Sequence, residues 1–396
     1  MKKDSIRECM VIITIILSLA LPACREETDD TMNINAQTDE SLSSVHDMTF
    51  DASVQFIPDA LIDASLDENG DAGLDEVAEG RCAPELGLYQ DERCERLADG
   101  VIEYTPQYPL WSDGTVKYRF AYLPPDTQID TTDPNKWIFP VGTKLWKHFQ
   151  TGEGKRLETR VLTKVEPLQG PDAWLFETYV WNELGDTVTS IREGQRDVLG
   201  TSHDIPRLRD CDDCHSGGKN KRDVHLEGGD YSDVALGFDA IQLNHDDSPT
   251  TLIGLIDQGL LSHRFNPAGA VIPGDVIAKQ ALGYLHGNCG SCHGGAAPAK
   301  DVVMRVPVNV MTVQETPTYL TNVGQMTNPG ERATGLENLP SVRIVPGDAQ
   351  ESALVWRMKQ RSGEDEDDDA QMPPLATEQV DHTGVDIVSR WINELE

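Results

Sequence analysis

The chain has 396 residues, too many for one small domain, and carries 67 acidic against 33 basic residues for a net charge of -34. That balance excludes the basic footprint a nucleic-acid binder needs. A basic protein partner is electrostatically easier, since opposite fields steer encounter; the plain alternative is that the acids only keep an exported protein soluble.

The first residues read as an export signal: Lys2 and Lys3 precede a short apolar run, Val11 to Leu21, too short to span a bilayer comfortably. The run ends in Leu21-Pro22-Ala23-Cys24, which resembles a bacterial lipobox, so Cys24 is expected to carry a lipid anchor. An ordinary signal peptide cut nearby is the alternative. Arg25 after the cysteine favours the outer membrane under the usual sorting rule. Residues 24–81 are rich in Asp, Glu, Ser, Thr and Ala. Such a stretch cannot bury enough apolar surface to offset chain entropy and reads as a disordered, acidic tether.

Residues 82–202 read as a β-rich domain. In "RLETRVLTKVE", Leu157, Thr159, Val161, Thr163 and Val165 share one face, while Glu158, Arg160 and Lys164 share the other. "AWLFETYVWN" is aromatic and β-branched on both faces, as a buried strand would be. Turn signals such as "SDG", "GEG" and "ELGD" separate the runs. A sandwich or small barrel is expected. Five of the seven tryptophans lie here, at 111, 137, 146, 174 and 181, as core or as a carbohydrate-stacking surface.

From residue 203 the pattern turns helical and loop-rich, with a segment at 203–270 and another at 271–396. Multidomain α+β is therefore the expected class. "GDVIAKQALGYLHGNC" reads as a helix, "DAQESALVWRMKQR" as a second one opened by an Asp348/Glu351 capping box. The last helix carries Val385, Val388, Trp391, Ile392 and Leu395 on one stripe.

Two stretches carry the chemistry. "CDDCH" holds Cys211, Cys214 and His215; "CGSCH" holds Cys289, Cys292 and His293. Cys-x-x-Cys-His marks covalent attachment of c-type haem. The two thiols sit about one turn apart and add to the two haem vinyl groups, and the adjacent imidazole reaches the iron. Two copies in an exported chain make two covalent haems, with iron, the expected cofactors. A shared zinc site lacks the compact ribbon spacing, because the pairs lie far apart in the chain. A thioredoxin-like pair lacks its βαβ setting.

The remaining thiols then find roles. Cys9 leaves with the signal, and Cys82 and Cys94 pair as a disulfide in an oxidising compartment, the alternative being two free thiols.

Met372 in "QMPP" is the candidate distal ligand of the second iron, a soft thioether presented by a proline-stiffened loop. Helix, Cys-x-x-Cys-His, loops, helix, Met-Pro-Pro, final helix is an order that resembles the small helical class of cytochrome c. In that fold an aromatic of the last helix packs on a small residue of the first, parts that Trp391 and Gly283 would take. For the first iron, His245 and His263 come ahead of His225 as distal candidates, and an open iron is the alternative. An open iron does peroxide or oxygen chemistry, and a closed one mainly passes electrons.

The blocks Tyr104 to Pro124, Trp137 to Phe149, "LETRVL", "TYVWNE", "CDDCH", "QLN", "YLHGNCGSCH", "VPGDAQESALVWRM" and "QMPP" follow in order. Together they resemble a family of bacterial di-haem c-type cytochromes with a β-rich N-terminal part, over roughly residues 85 to 396. The resemblance implies electron transfer with covalent haem and no particular substrate. The acidic run from Gly363 to Ala370 departs from that pattern and is expected to dock a basic redox partner, a solvated loop being the alternative. The expected protein is a lipid-anchored di-haem cytochrome of the cell envelope. The other readings are a di-haem peroxidase-like enzyme and a glycan- or protein-binding module that carries haem.

Overall fold

Alternating β-branched and aromatic runs form six strands: β1 (Val101–Tyr104), β2 (Val116–Tyr122), β3 (Lys144–Gln150), β4 (Arg156–Lys164), β5 (Trp174–Trp181) and β6 (Val188–Ser190). The computed structural model that shows them describes residues 81–167, 170–215, 235–294, 301–328, 336, 338–361, 370–375 and 377–396. The signal segment, Cys24, the tether through residue 80, His225 and residues 363–369 of the acidic run lie outside these.

Each strand pairs antiparallel with the next, in the order β1-β2-β3-β4-β5-β6. The β3–β4 and β5–β6 connections are short hairpins. Gly154 takes φ 91° between β3 and β4, and Gly185 takes φ 68° between β5 and β6, conformations open to a residue without Cβ. Among the described residues this is one open meander, not the sandwich or barrel expected from the strand pattern. The layers that would be a second sheet are supplied by other elements.

One face carries Phe120, Trp146, Val161, Tyr179 and Trp181, which pack under the segment Cys82 to Leu97. A disulfide joins Cys82 and Cys94 with Cα atoms 5.3 Å apart and staples that cover. The other face carries Ala121, Leu145 and Leu162, which enter the main core with residues from the helices. Both faces of β4 are therefore covered: Glu158 and Lys164 are buried, although they alternate as an outward polar face would. Trp137, Trp146, Trp174 and Trp181 are buried in these cores, so they offer no stacking surface for a sugar.

The helices are α1 (Cys211–His215), α2 (Leu252–Asp257), α3 (Val276–Asn288), α4 (Pro317–Asn322), α5 (Ala353–Lys359) and α6 (His382–Glu394). Asp275 caps α3 through Ala278 N, and Asp381 caps α6 through Gly384 N, both at 2.9 Å. Helix α5 begins later than the capping-box pattern indicates. Asp348 instead accepts from Gln350 N and Glu351 N in a local turn, and Ser352 takes the N-cap position. Leu282 and Leu285 of α3 and Val388, Trp391 and Ile392 of α6 share the main core with the sheet. The described residues fall within one compact unit.

Tyrosines take the close approaches at the glycines of both helices. A Cβ at Gly283 would fall inside the Tyr108 ring, and one at Gly384 would fall inside the Tyr284 ring. Thus α3 gives the aromatic to α6, and the groove on α3 takes an aromatic from the loop between β1 and β2. No helix among the described residues is long and apolar enough to cross a membrane.

Candidate functional site

Both Cys-x-x-Cys-His motifs are wound as helical turns. Residues three and four apart share a helix face, so α1 sets Cys211, Cys214 and His215 on one side. The second motif continues from the end of α3: Cys289 N–H donates to Leu285 O at 2.9 Å, and His293 N–H to Cys289 O at 2.8 Å. The fold then brings the motifs together. Cys214 Sγ and Cys292 Sγ are 3.9 Å apart, and Cys292 Sγ lies 3.3 Å from Asp213 O.

The two imidazoles are held differently. His293 Nδ1 lies 3.3 Å from Val302 O. A carbonyl can only accept, so this contact places the proton on Nδ1 and the ring lone pair on Nε2, the arrangement that an iron ligand uses. His215 packs edge-on to Phe176 of β5, with ring centres 5.4 Å apart. Burial pushes the Cys289 thiol up to about 12. The hydrogen bond between the facing thiols raises Cys214 and lowers Cys292.

Met372 sits half-buried in the loop before α6, with its N–H on Arg357 O at 3.3 Å. Gln371 Nε2 braces that loop through Pro373 O (3.0 Å) and Thr377 O (2.9 Å). The β1–β2 loop ties it to the second motif. Trp111 N–H donates to Asn288 Oδ1, next to Cys289, at 2.7 Å, while its indole N–H donates to Gln379 O at 3.2 Å. The Asp113 carboxylate accepts from Glu378 N and Gln379 N. Arg361 adds a bond to Gln379 O at 2.9 Å, and its buried Nε–H has no partner among the described residues.

His245 and His263 stand elsewhere. His245 Nε2 donates to Thr105 O at 2.8 Å, just past β1, while His215 lies against β5. Four strand spacings separate the strands they lean on, roughly 19 Å in a flat sheet. His263 is on the surface, with Nδ1 on Ser262 Oγ and Thr132 Oγ1.

The inner face of the sheet adds residues that the motifs did not point to. Arg119, Lys147 and Arg160 stand directly opposite one another across β2, β3 and β4. Lys117 and Glu158 flank Phe149 in the next row. Glu158 is fully buried and binds Arg160 Nη2 at 3.0 Å and His203 Nε2 at 2.9 Å. Burial disfavours the Arg160 charge, but Glu158 outweighs it and raises the pKa, and Cys211 and Cys214 act in the same sense. Lys117 is lowered to about 8 by burial, then by Arg119. Lys147 falls well below its ordinary value through burial, then Arg119, Arg160 and Lys117. Lone charges at alternate positions look like a solvated face in sequence; only the register lines them up in a row.

Each motif presents two thiols and one imidazole on one helical face, and Met372 adds a thioether on a braced loop. A four-thiolate metal site would need all four sulfurs gathered. Among the described residues, no three His, Cys, Asp or Glu side chains are grouped closely enough to hold a metal ion. Compared with known proteins, the chain matches no family model, no curated protein and no solved structure.

Proposed function

We propose that this chain is a di-haem c-type cytochrome that passes single electrons in the bacterial cell envelope, anchored to the membrane through lipid on Cys24. The observation that carries this reading is the meeting of the two motifs at Cys214 and Cys292, 3.9 Å apart. Haem supplies an iron that changes its charge by one electron. The chain's part is to hold it: Cys211 and Cys214 bond one haem and Cys289 and Cys292 the other, each thiol adding S and H across a vinyl group without an external oxidant. His215 and His293 would hold the two irons as proximal ligands, and Met372 would hold the second iron as its distal ligand. Haems held by these thiols would be attached at facing sulfurs, and the chemistry they would supply is single-electron exchange.

The ordered blocks from Tyr104 to Met372 support membership of the di-haem family they resemble, with a cytochrome-like helical region around α3 and α6. The net charge of -34 and the run at 363–370 support a basic redox partner. The Arg25 rule supports the outer membrane. A glycan-binding role for the β-rich part has little to stand on, with four of its tryptophans in the cores.

Haem content and intact mass of the protein matured in an envelope that attaches c-type haem test the reading. Two haems are expected, falling to one in Cys211→Ala/Cys214→Ala. Met372→Ala should abolish the sulfur-to-iron absorption band and lower that haem's potential. One haem or none in the wild type overturns the proposal. Rapid turnover of hydrogen peroxide would replace it with the peroxidase-like reading.

A further inference from the structure

We infer that the cross-strand row Arg119–Lys147–Arg160, with Lys117 beside it, is the seat of haem propionate carboxylates, those of the haem bonded at Cys211 and Cys214. This rests on the di-haem reading and names the surface against which one haem lies.

The argument is one of charge. Four cations stand together at one end of this sheet face, and Glu158 is the single carboxylate hydrogen-bonded within that cluster. That carboxylate is already shared by Arg160 and His203. Arg119, Lys117 and Lys147 have no ion pair among the described residues, and Arg119 is 5% exposed. Like charges directly opposite in neighbouring strands repel, and buried charge without a partner is costly. Lys147 also lies over the Phe149 ring at 5.0 Å, as does Arg160 at 4.8 Å, which offsets only a little of that cost. A sheet that collects such a row is built for an anion of more than one charge.

Position selects the anion. Arg160 lies within electrostatic reach of Cys211 and Cys214, and Lys117 within reach of Asp113 and Asp381 at the far end. The row thus leads away from the first motif's thiols across two strand spacings, roughly 10 Å. Vinyl and propionate groups leave the macrocycle on opposite halves. A haem fixed at Cys211 and Cys214 therefore carries its two carboxylates away from the thiols, along this row. Phe176, against which His215 packs, lies on the same sheet face one row away, opposite Leu162.

The test uses the full-length, haem-loaded protein with Lys147→Gln and, as a second variant at the half-buried end, Lys117→Gln. Intact mass and haem content should stay at two, which keeps the parent reading separate. One of the two midpoint potentials should shift negative, because a cation beside the haem favours the ferrous state; the other should not move. The propionate bending band in the resonance Raman spectrum should shift for one haem. Two attached haems with unchanged potentials and an unchanged band would overturn the assignment. So would a wild-type potential that responds to added inorganic phosphate while Lys147→Gln does not, since the row would then take a free oxyanion. An equal shift on neutralising Glu364 to Asp369 would also overturn it, giving the row to the chain's own acids. A wild type with no haem at Cys211 and Cys214 overturns both readings.

Discussion

Cys214 and Cys292 face each other sulfur to sulfur at 3.9 Å, although one belongs to a short helix beside the sheet and the other to the turn after α3. The contact gives a direct test of what the thiols do. In protein made where c-type haem is not attached, diamide should oxidise this pair, taking one hydrogen from each thiol and leaving a Cys214–Cys292 disulfide. Peptide mapping would find it as a link between the two motifs. In protein with both haems the same treatment should leave no such link, because the sulfurs are already thioethers. A Cys211–Cys214 or Cys289–Cys292 product instead would mean that the motifs do not meet.

Tyr108 fills the space above Gly283, and its carbonyl sits over Gly287 on the same helix face. Replacing Gly283 by Ala puts a methyl group into that ring. Overpacking of this kind costs about 1–3 kcal/mol, and thermal unfolding should show it. The double variant Gly283→Ala/Tyr108→Ala should lose less than the sum of the two single changes, since the clash is gone. Simple additivity would mean that Tyr108 and Gly283 do not touch.

Much of this architecture can be read from local pattern. Alternation marks β4 and β5, the helical stretches at "GDVIAKQALGYLHGNC" and the stripe from Val385 to Leu395 mark α3 and α6, and the two Cys-x-x-Cys-His stretches mark the candidate site. Long-range facts are absent from such patterns. Alternation says that Glu158, Arg160 and Lys164 share a face but not what lies on it. The cation row exists only once Arg119, Lys147 and Arg160 are set in register. Gly283 announces a close approach and does not name Tyr108 as the partner. At Asp348, a turn-forming acid followed by Glu351 mimics a helix start, and the helix waits for Ser352 because Ser352 first bridges to Val342.

Glu158 bonds to both Arg160 and His203 and is fully buried. Burial alone would raise its pKa, but Arg160 and then His203 hold it below the usual range. Removing one partner of a buried ion pair costs about 3–5 kcal/mol. Glu158→Ala should lose that much stability in urea unfolding of the haem-free protein. Glu158→Ala should be the more damaging change there, and Lys147→Gln the milder, because the first adds uncompensated charge to the row and the second removes some.

His148 gives the fold a defined response to acid. Trp181 Nε1–H donates to Thr159 Oγ1 at 2.9 Å, and His148 Nδ1 lies 2.8 Å from the same hydroxyl oxygen. The ring stands edge-on to Trp181 and near Tyr118. Burial, then the Arg156 charge, lowers its pKa to about 3, with Glu158 opposing. As pH falls, the unfolded chain takes up the proton near 6.5 while the folded chain resists until about 3. The group therefore supports the fold in full above 6.5, and that support drains away between 6.5 and 3. One proton of difference gives a slope of about 1.4 kcal/mol per pH unit. Stability measured by denaturant at steps across this window should fall more gently by that slope in His148→Gln than in the wild type, whatever the variant's stability at neutral pH. Parallel curves would show that His148 titrates normally and that carboxylates such as Glu158 carry the whole acid response.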